Sequence, residues 1–191
     1  MQGLSKFTVH LASGNPNKYD EMRSIMNGYD IDLRVANIKG EEIQAFSALA
    51  VAERAAQSVA KEFKSPFLVE DTGLYVHSLY GYPATTASLV YKTLGPGGIL
   101  KLLEGRNDFT AEFHSAIVYG EDGKLVKRFV GISEGSISME IRGENGFGFD
   151  SIFIPEGAEM TFAEMSSKEK NSISHRSKVT RAFVEWITGR I

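Results

Sequence analysis

The amino-acid sequence predicts a mixed-sheet α/β fold with two lobes and a cleft between them. Helices alternate with strands through the first half of the chain. Residues 109–132 then switch to a period of two around an Asp122-Gly123 turn, the mark of an antiparallel insertion. No repeat, long linker or low-complexity tract divides the 191 residues, so residues 1–191 are expected to form a single domain. A chain of this length buries roughly 70% of its unfolded surface, enough to fold without disulfides or metal clips.

The first strand is expected at Phe7–Ala12, where Phe7, Val9 and Leu11 share a face. It runs through Ser13-Gly14-Asn15-Pro16-Asn17-Lys18 into a helix that turns Tyr19, Met22 and Ile25 inward. Asn15 followed by Pro16 suits an N-cap and first helical position, and Gly28 suits the exit. Ile31, Leu33 and Val35 alternate in a second strand, about 31–36. An alanine-rich helix follows over about 48–63. Phe67-Leu68-Val69 reads as a short buried strand that places Glu70 and Asp71 at its mouth. Two short helices are expected before Gly95 and over 98–103. Phe109, Ala111, Phe113, Ser115, Ile117 and Tyr119 alternate on one face, and Leu125–Ile132 returns after the Asp-Gly turn. Further strands are expected at 136–141 and 151–154. A last helix starts near Ser174 and turns Val179, Phe183, Trp186 and Ile187 inward.

Composition excludes several function classes. The absence of cysteine removes disulfides, zinc-thiolate and iron–sulfur sites and cysteine nucleophiles, and leans toward a cytoplasmic location. Twenty-one basic residues against 24 acidic ones argue against a stable nucleic-acid complex. They do not argue against an anionic small molecule, because local charge and bound magnesium set the potential of a pocket. No targeting segment is read in the opening residues, and no apolar run approaches the length of a membrane span. His10, His77, His114 and His175 lack zinc-motif spacing.

Three polar loops carry the chemistry. Lys18 falls in the first turn of a helix, where its charge opposes the helix dipole. A phosphate bound to the exposed amides would reverse that balance. The GxxxxGK[ST] spacing of a Walker loop is absent. Glu70-Asp71, with Glu41-Glu42 approaching from the preceding link, offers hard oxygen ligands for magnesium. Adjacent strand residues face opposite ways, so both carboxylates of Glu70-Asp71 need not enter one pocket. The loop 142–150 combines Gly143, Gly146 and Gly148 with Phe147 and Phe149, and an aromatic ring at a pocket rim stacks on a nucleobase. Lys170 and Ser174-His175-Arg176 again place cations at a helix start.

SGNPNK at 13–18, EIQ at 42–44, VEDTGL at 69–74, FGFD at 147–150 and TFAEMSSKEKNSISHR at 161–176 together resemble the Ham1-like inosine/xanthosine triphosphate pyrophosphatase family, over Val9 to Trp186. The resemblance implies an elongated mixed β-sheet flanked by helices, with the nucleotide in the cleft, and a homodimer. It also implies hydrolysis of ITP, dITP or XTP to nucleoside monophosphate and pyrophosphate with Mg2+, or Mn2+ as a substitute. Carried over residue by residue, Ser13, Asn15 and Lys18 match the triphosphate segment. Glu42 and Asp71 match the metal-associated acids, with Glu70 as the less certain neighbour, and Lys18 joins them in catalysis. Phe147 resembles the base-stacking aromatic, and Gly148, Phe149 and Asp150 fall in the same base-side loop. Lys170 matches a residue reaching phosphate or base, and His175 and Arg176 the pair on the purine's oxygenated edge. Asp71 is open to two roles, metal ligand and general base.

One segment departs from the pattern. Many relatives carry glycine, then tyrosine-serine and a nearby basic residue after Gly81-Tyr82-Pro83. This chain has Ala84-Thr85-Thr86-Ala87-Ser88-Leu89, where the hydroxyls of Thr86 and Ser88 are candidates to keep polar contacts. Two further readings stay open: a catalytically silent nucleotide-binding regulator, and a pyrophosphatase for another modified nucleotide.

Overall fold

The computed structural model describes residues 6–191. In chain order the elements are β1 (Phe7–Leu11), α1 (Pro16–Met26), β2 (Ile31–Val35), α2 (Ala48–Glu62), β3 (Phe67–Val76), β4 (Pro83–Ala84), α3 (Ala87–Thr93), α4 (Gly95–Leu103), β5 (Thr110–Glu121), β6 (Lys124–Ile137), β7 (Phe153–Pro155), α5 (Ser167–Ile173) and α6 (His175–Thr188). The strands form one mixed sheet in the order β2-β1-β3-β5-β6-β7, with β4 attached to β3. β1 pairs parallel with β2 and β3, and the remaining pairs are antiparallel.

The expected mixed α/β class is observed, and the cores show how its two lobes arise. Val9, Leu11, Leu68, Ile117 and Tyr119 pack on one face of the sheet against Met22 and Met26 of α1 and Val179, Phe183 and Ile187 of α6. On the opposite face, Val69, Ala116 and Val118 meet the alanines of α2. Small side chains on α2 let that helix sit close to the strands. Both faces of β5 are therefore covered, and Ser115 through Gly120 are all buried, more than the single alternating face read from the sequence. The second lobe gathers around the far ends of β3 and β5, where Leu74, Val76 and Phe113 pack with Ile99, Phe149, Phe153 and Phe162.

Three strand expectations need correction. β3 continues through Glu70 and Asp71 to Val76, because β5 pairs with it from Phe67↔Gly120 to Val76↔Ala111. Glu70 and Asp71 are thus mid-strand and largely enclosed, not at a strand mouth. The separate strand expected at 136–141 does not form: β6 runs without a break from Lys124 to Ile137 and ends there. Expected at 151–154, β7 instead begins at Phe153 after a single 3-10 turn over Asp150–Ile152. The turn signal holds, with Asp122 at φ 51° and Gly123 at φ 76° as a two-residue hairpin requires. Helix α5 was not anticipated, although its capping box of Ser166 and Glu169 is a readable start signal.

The unequal lengths of β1 and β3 leave part of one edge of β3 open. β1 has five residues and β3 has ten, and they pair only at His10↔Phe67 and Leu11↔Leu68. β4 takes the same edge of β3 at Leu74 and Tyr75. Between these contacts the edge of β3 around Glu70–Gly73 has no strand beside it, and the chain leaving β1 crosses there into α1.

Candidate active site at the open edge of the central strand

Helix α1 opens as the sequence predicts. Asn15 is the N-cap, its Oδ1 accepting from the Asn17 amide at 3.0 Å, and Pro16 occupies the first turn. Ser13 Oγ accepts from the Asn15 amide at 3.2 Å and fixes the approach to the cap. The geometry turns Lys18 back onto β3. Its Nζ donates to the Glu70 carbonyl at 3.1 Å, one of the backbone groups left without a strand partner, and lies 2.8 Å from Glu70 Oε2.

Alternation along β3 sends the two neighbouring acids to opposite faces. Glu70 points toward α1 and α6. Its Oε1 accepts from Thr72 Oγ1 and Ser115 Oγ, both at 2.5 Å, and from Arg176 Nε at 3.2 Å. Burial pushes this carboxyl up, but Arg176, Lys18 and the hydrogen bonds outweigh it and hold Glu70 far below the ordinary range. Glu70 is thus an ionised group, held by hydrogen bonds at Oε1 and by the Lys18 ion pair at Oε2.

Asp71 points toward α2 and is the opposite case. Burial raises its pKa, Lys18 only partly compensates, and Glu70 next to it adds to the rise, so Asp71 is pushed up to about 7. Among the described residues its buried Oδ2 has neither a hydrogen-bond nor an ion-pair partner. One carboxylate neutralised by cations beside one left unpaired is the pattern of a structural acid supporting a functional one.

A connected set of ion pairs extends from Glu70. Arg176 also donates from Nη1 to Glu21 at 2.5 Å and from Nη2 to Thr72 Oγ1 at 3.0 Å. Lys170 bridges Glu21 and Asp150, both at 2.6 Å. Asp150 in turn accepts the Phe147 amide at 2.8 Å and so fixes the base-side loop. The Phe147 ring lies 5.0 Å from Lys170 Nζ and 5.3 Å from the Arg176 guanidinium carbon. His175 stacks on Phe113 at 4.5 Å, and its buried Nδ1 has no partner. Burial and then Arg176 drive its pKa well below the ordinary value, so the imidazole is neutral.

The structure therefore brings Lys18, Glu70, Asp71, Phe147, Asp150, Lys170, His175 and Arg176 to one region, with Ser13 and Asn15 shaping its loop. Three expected residues stand apart. Glu42 is exposed on the segment before α2, and no group of three or more His, Asp or Glu gathers in metal-binding geometry among the described residues. Phe149 is only 2% exposed and packs in the second-lobe core, edge-on to Tyr91, so it completes the core and leaves the rim to Phe147. Gly148 has open space around it. In the divergent segment the Thr86 hydroxyl is spent on the Pro83 carbonyl at 2.7 Å, while Ser88 and Leu89 are exposed. The sequence reading missed Glu21, Thr72 and Ser115. Glu21 lies three residues from Lys18 on one helical face, a spacing that was available as a signal.

Gly146 gives a test of the loop. Its φ is +72°, and a Cβ there would collide with the Asp150 carboxylate, whereas Gly148, at φ +65°, has nothing within 4 Å. Gly146→Ala is expected to cost about 2–4 kcal/mol and Gly148→Ala about 1 kcal/mol, read by thermal unfolding. Equal losses would remove the Asp150 contact from the account.

A more open cavity lies elsewhere. It measures about 370 Å³ and is lined by His77, Thr110, Glu112, Glu134, Ser136 and Glu156 among others, none of them in the network above. A cavity of about 40 Å³ sits beside Glu21, Gly146 and Lys170.

The model of the Ham1 family matches residues 9–186. The chain is 42% identical to the dITP/XTP pyrophosphatase of Pyrococcus horikoshii, covering 94% of this chain and 96% of that one. It is also 42% identical to the dITP/XTP pyrophosphatase of Saccharolobus solfataricus, over 94% and 93% of the two chains. Among solved structures, a HAM1 protein from Coxiella burnetii superposes with a TM-score of 0.84 at 29% identity, over 96% of this chain and 99% of that one.

Proposed function

The chain belongs to the Ham1 family, and we propose that it hydrolyses non-canonical purine nucleoside triphosphates, ITP, dITP and XTP, to nucleoside monophosphate and pyrophosphate. The observation that carries this reading is the open edge of β3, where Lys18 pairs with Glu70, the unpaired Asp71 carboxylate is next along the strand, and Phe147 lies against the Arg176 that also pairs with Glu70. These groups offer an anion clamp, an acid of unusual proton affinity and an aromatic ring.

The donors fit magnesium. This ion is typically held by one or two carboxylates together with substrate phosphates, and Asp71 Oδ2 is a buried hard oxygen lacking a partner. Asp71 is the residue that would hold it, with Glu42, exposed on the segment before α2, a further candidate by family resemblance. When bound, magnesium withdraws charge from the phosphate and offsets the negative charge gathered there.

The remaining steps fall to the chain's own side chains. A water oxygen attacks the alpha phosphorus, and the bond from that phosphorus to the oxygen bridging toward the beta phosphate breaks. Pyrophosphate leaves with the bonding electron pair. The proton of the water passes to Asp71, whose burial raises its affinity for one. Lys18 and the amides at the start of α1 stabilise charge on the departing pyrophosphate. Glu70 holds Lys18 in place and takes no proton.

Specificity arises at the base edge. The three contacts of Arg176 leave two of its five N–H donors unused, and His175 Nδ1 is also free of a protein partner. A carbonyl at purine position six accepts from such donors, while the adenine amino group meets them donor to donor. An unsatisfied buried polar group costs about 1–3 kcal/mol, or roughly tenfold to over a hundredfold in discrimination.

Incubation with ITP and magnesium is expected to yield IMP and pyrophosphate with little IDP or free phosphate. IDP and phosphate as main products would refute the reading, and magnesium-dependent binding with no product would favour the silent regulator. A panel of altered nucleotides in the same assay addresses the changed 84–89 segment. The reading includes a homodimer, which sedimentation of the purified protein tests.

A further inference from the structure

Cations around the segment joining β1 to α1 are mostly committed before any substrate arrives. Lys18 is paired with Glu70, Lys170 with Glu21 and Asp150, and Arg176 with Glu21 and Glu70. These three cations face four carboxylates once Asp71 is counted, so the cluster has no net positive charge to offer a triphosphate. Drawing any of them fully onto phosphate would strip a buried carboxylate of its partner, the costly way to open a buried pair.

Lys39 is different. It lies on the segment between β2 and α2, the helix that covers the Asp71 face of the sheet. A Cβ built on Gly14 would come within 3.7 Å of the Lys39 Cε, so the lysine stem passes Gly14 and carries its ammonium outward from the loop. The side chain is exposed, and among the described residues it has no ion-pair or hydrogen-bond partner. Gly14 itself is exposed and adds no side chain between the lysine and the loop.

We propose that Lys39 is a further triphosphate-binding residue, closing the anion site over Gly14 and supplying positive charge that the internally paired cluster lacks. The proposal rests on the triphosphate reading of this cleft and deepens it. An uncommitted surface lysine binds phosphate without releasing a buried partner, and its long stem reaches a ligand over the loop at little structural cost. Lys39 is exposed and, among the described residues, joins no ion pair or hydrogen bond, so its loss is expected to leave the fold intact.

Calorimetric titration with magnesium tripolyphosphate isolates this contact, because the probe has neither base nor sugar and needs no turnover. Lys39→Gln is expected to weaken binding roughly tenfold, the size of one charge-assisted contact at a partly exposed site. It is also expected to flatten the salt dependence, while Lys39→Arg retains most of the affinity. Lys127→Gln, at an exposed position on β6, controls for general surface charge and is expected to bind as the parent does. Melting temperatures should agree across the set. Binding by Lys39→Gln within twofold of the parent, with the same salt slope, would overturn the proposal and leave the proposed hydrolysis standing. Failure of the parent protein to bind the probe at all would overturn both.

Discussion

Asp71→Asn is expected to lower ITP turnover at least ~100-fold and, without metal, to raise the melting temperature near pH 8. The two effects have one cause. Burial lifts the Asp71 pKa from 3.8 to about 7, so the folded protein keeps a proton that the unfolded chain releases across that interval. Stability attributable to this group is therefore undiminished below about pH 4, falls as pH rises through the window, and is lowest above about pH 7. Asparagine has nearly the same shape and no charge to bury, so it avoids the penalty. Asp71 is not fully enclosed, which reduces the gain below the full linkage value, to about 1–3 kcal/mol. For a chain of this size that is roughly 3–10 °C. The difference should vanish near pH 4, where both versions are neutral. Matching melting curves near pH 8 would show that the carboxylate is not strained by its surroundings. Undiminished turnover would remove Asp71 from the reaction.

What the sequence revealed and what it concealed follow the range of the interactions. Asn15-Pro16 and Asp122-Gly123 were legible because caps and turns are decided within a few residues. Val9, Leu11, Phe183 and Ile187 were legible because burial follows local periodicity. Glu70 misled because two acids after three apolar residues read as the end of a strand. Only pairing with β5 shows that the strand continues, and that partner lies more than 40 residues away. Phe147 and Phe149 differ by two positions in a glycine-rich loop that has no period. One reaches the rim and the other the core for reasons set by the Asp150–Lys170 pair. Glu21 escaped notice because its meaning lies in Arg176, 155 positions along the chain. The family motifs identified many of the residues that gather at the open edge of β3, though not Glu21 or Ser115, and they included Glu42 and Phe149, which stand apart. They did not show which were free to react and which were already neutralised by one another.

That division leads to the second large effect. Glu70→Gln keeps the volume and the Ser115 and Thr72 hydrogen bonds but leaves Lys18 without its anion and buried Arg176 with Glu21 alone. Breaking one partner of a buried pair costs about 3–5 kcal/mol, which for this chain means a melting point lower by roughly 10 °C. Glu70 is held ionised well below its ordinary range, so its contribution is complete above about pH 4.5 and is lost as pH falls toward the depressed value. The gap between parent and variant should accordingly be full at neutral pH and narrow in strong acid. Arg176→Met, which removes the cation with similar bulk, supplies the other arm of a cycle. Because Glu21 retains Lys170 when Arg176 is gone, the double variant should be less destabilised than the sum of the single ones. Strict additivity would mean that Glu70 and Arg176 do not depend on each other.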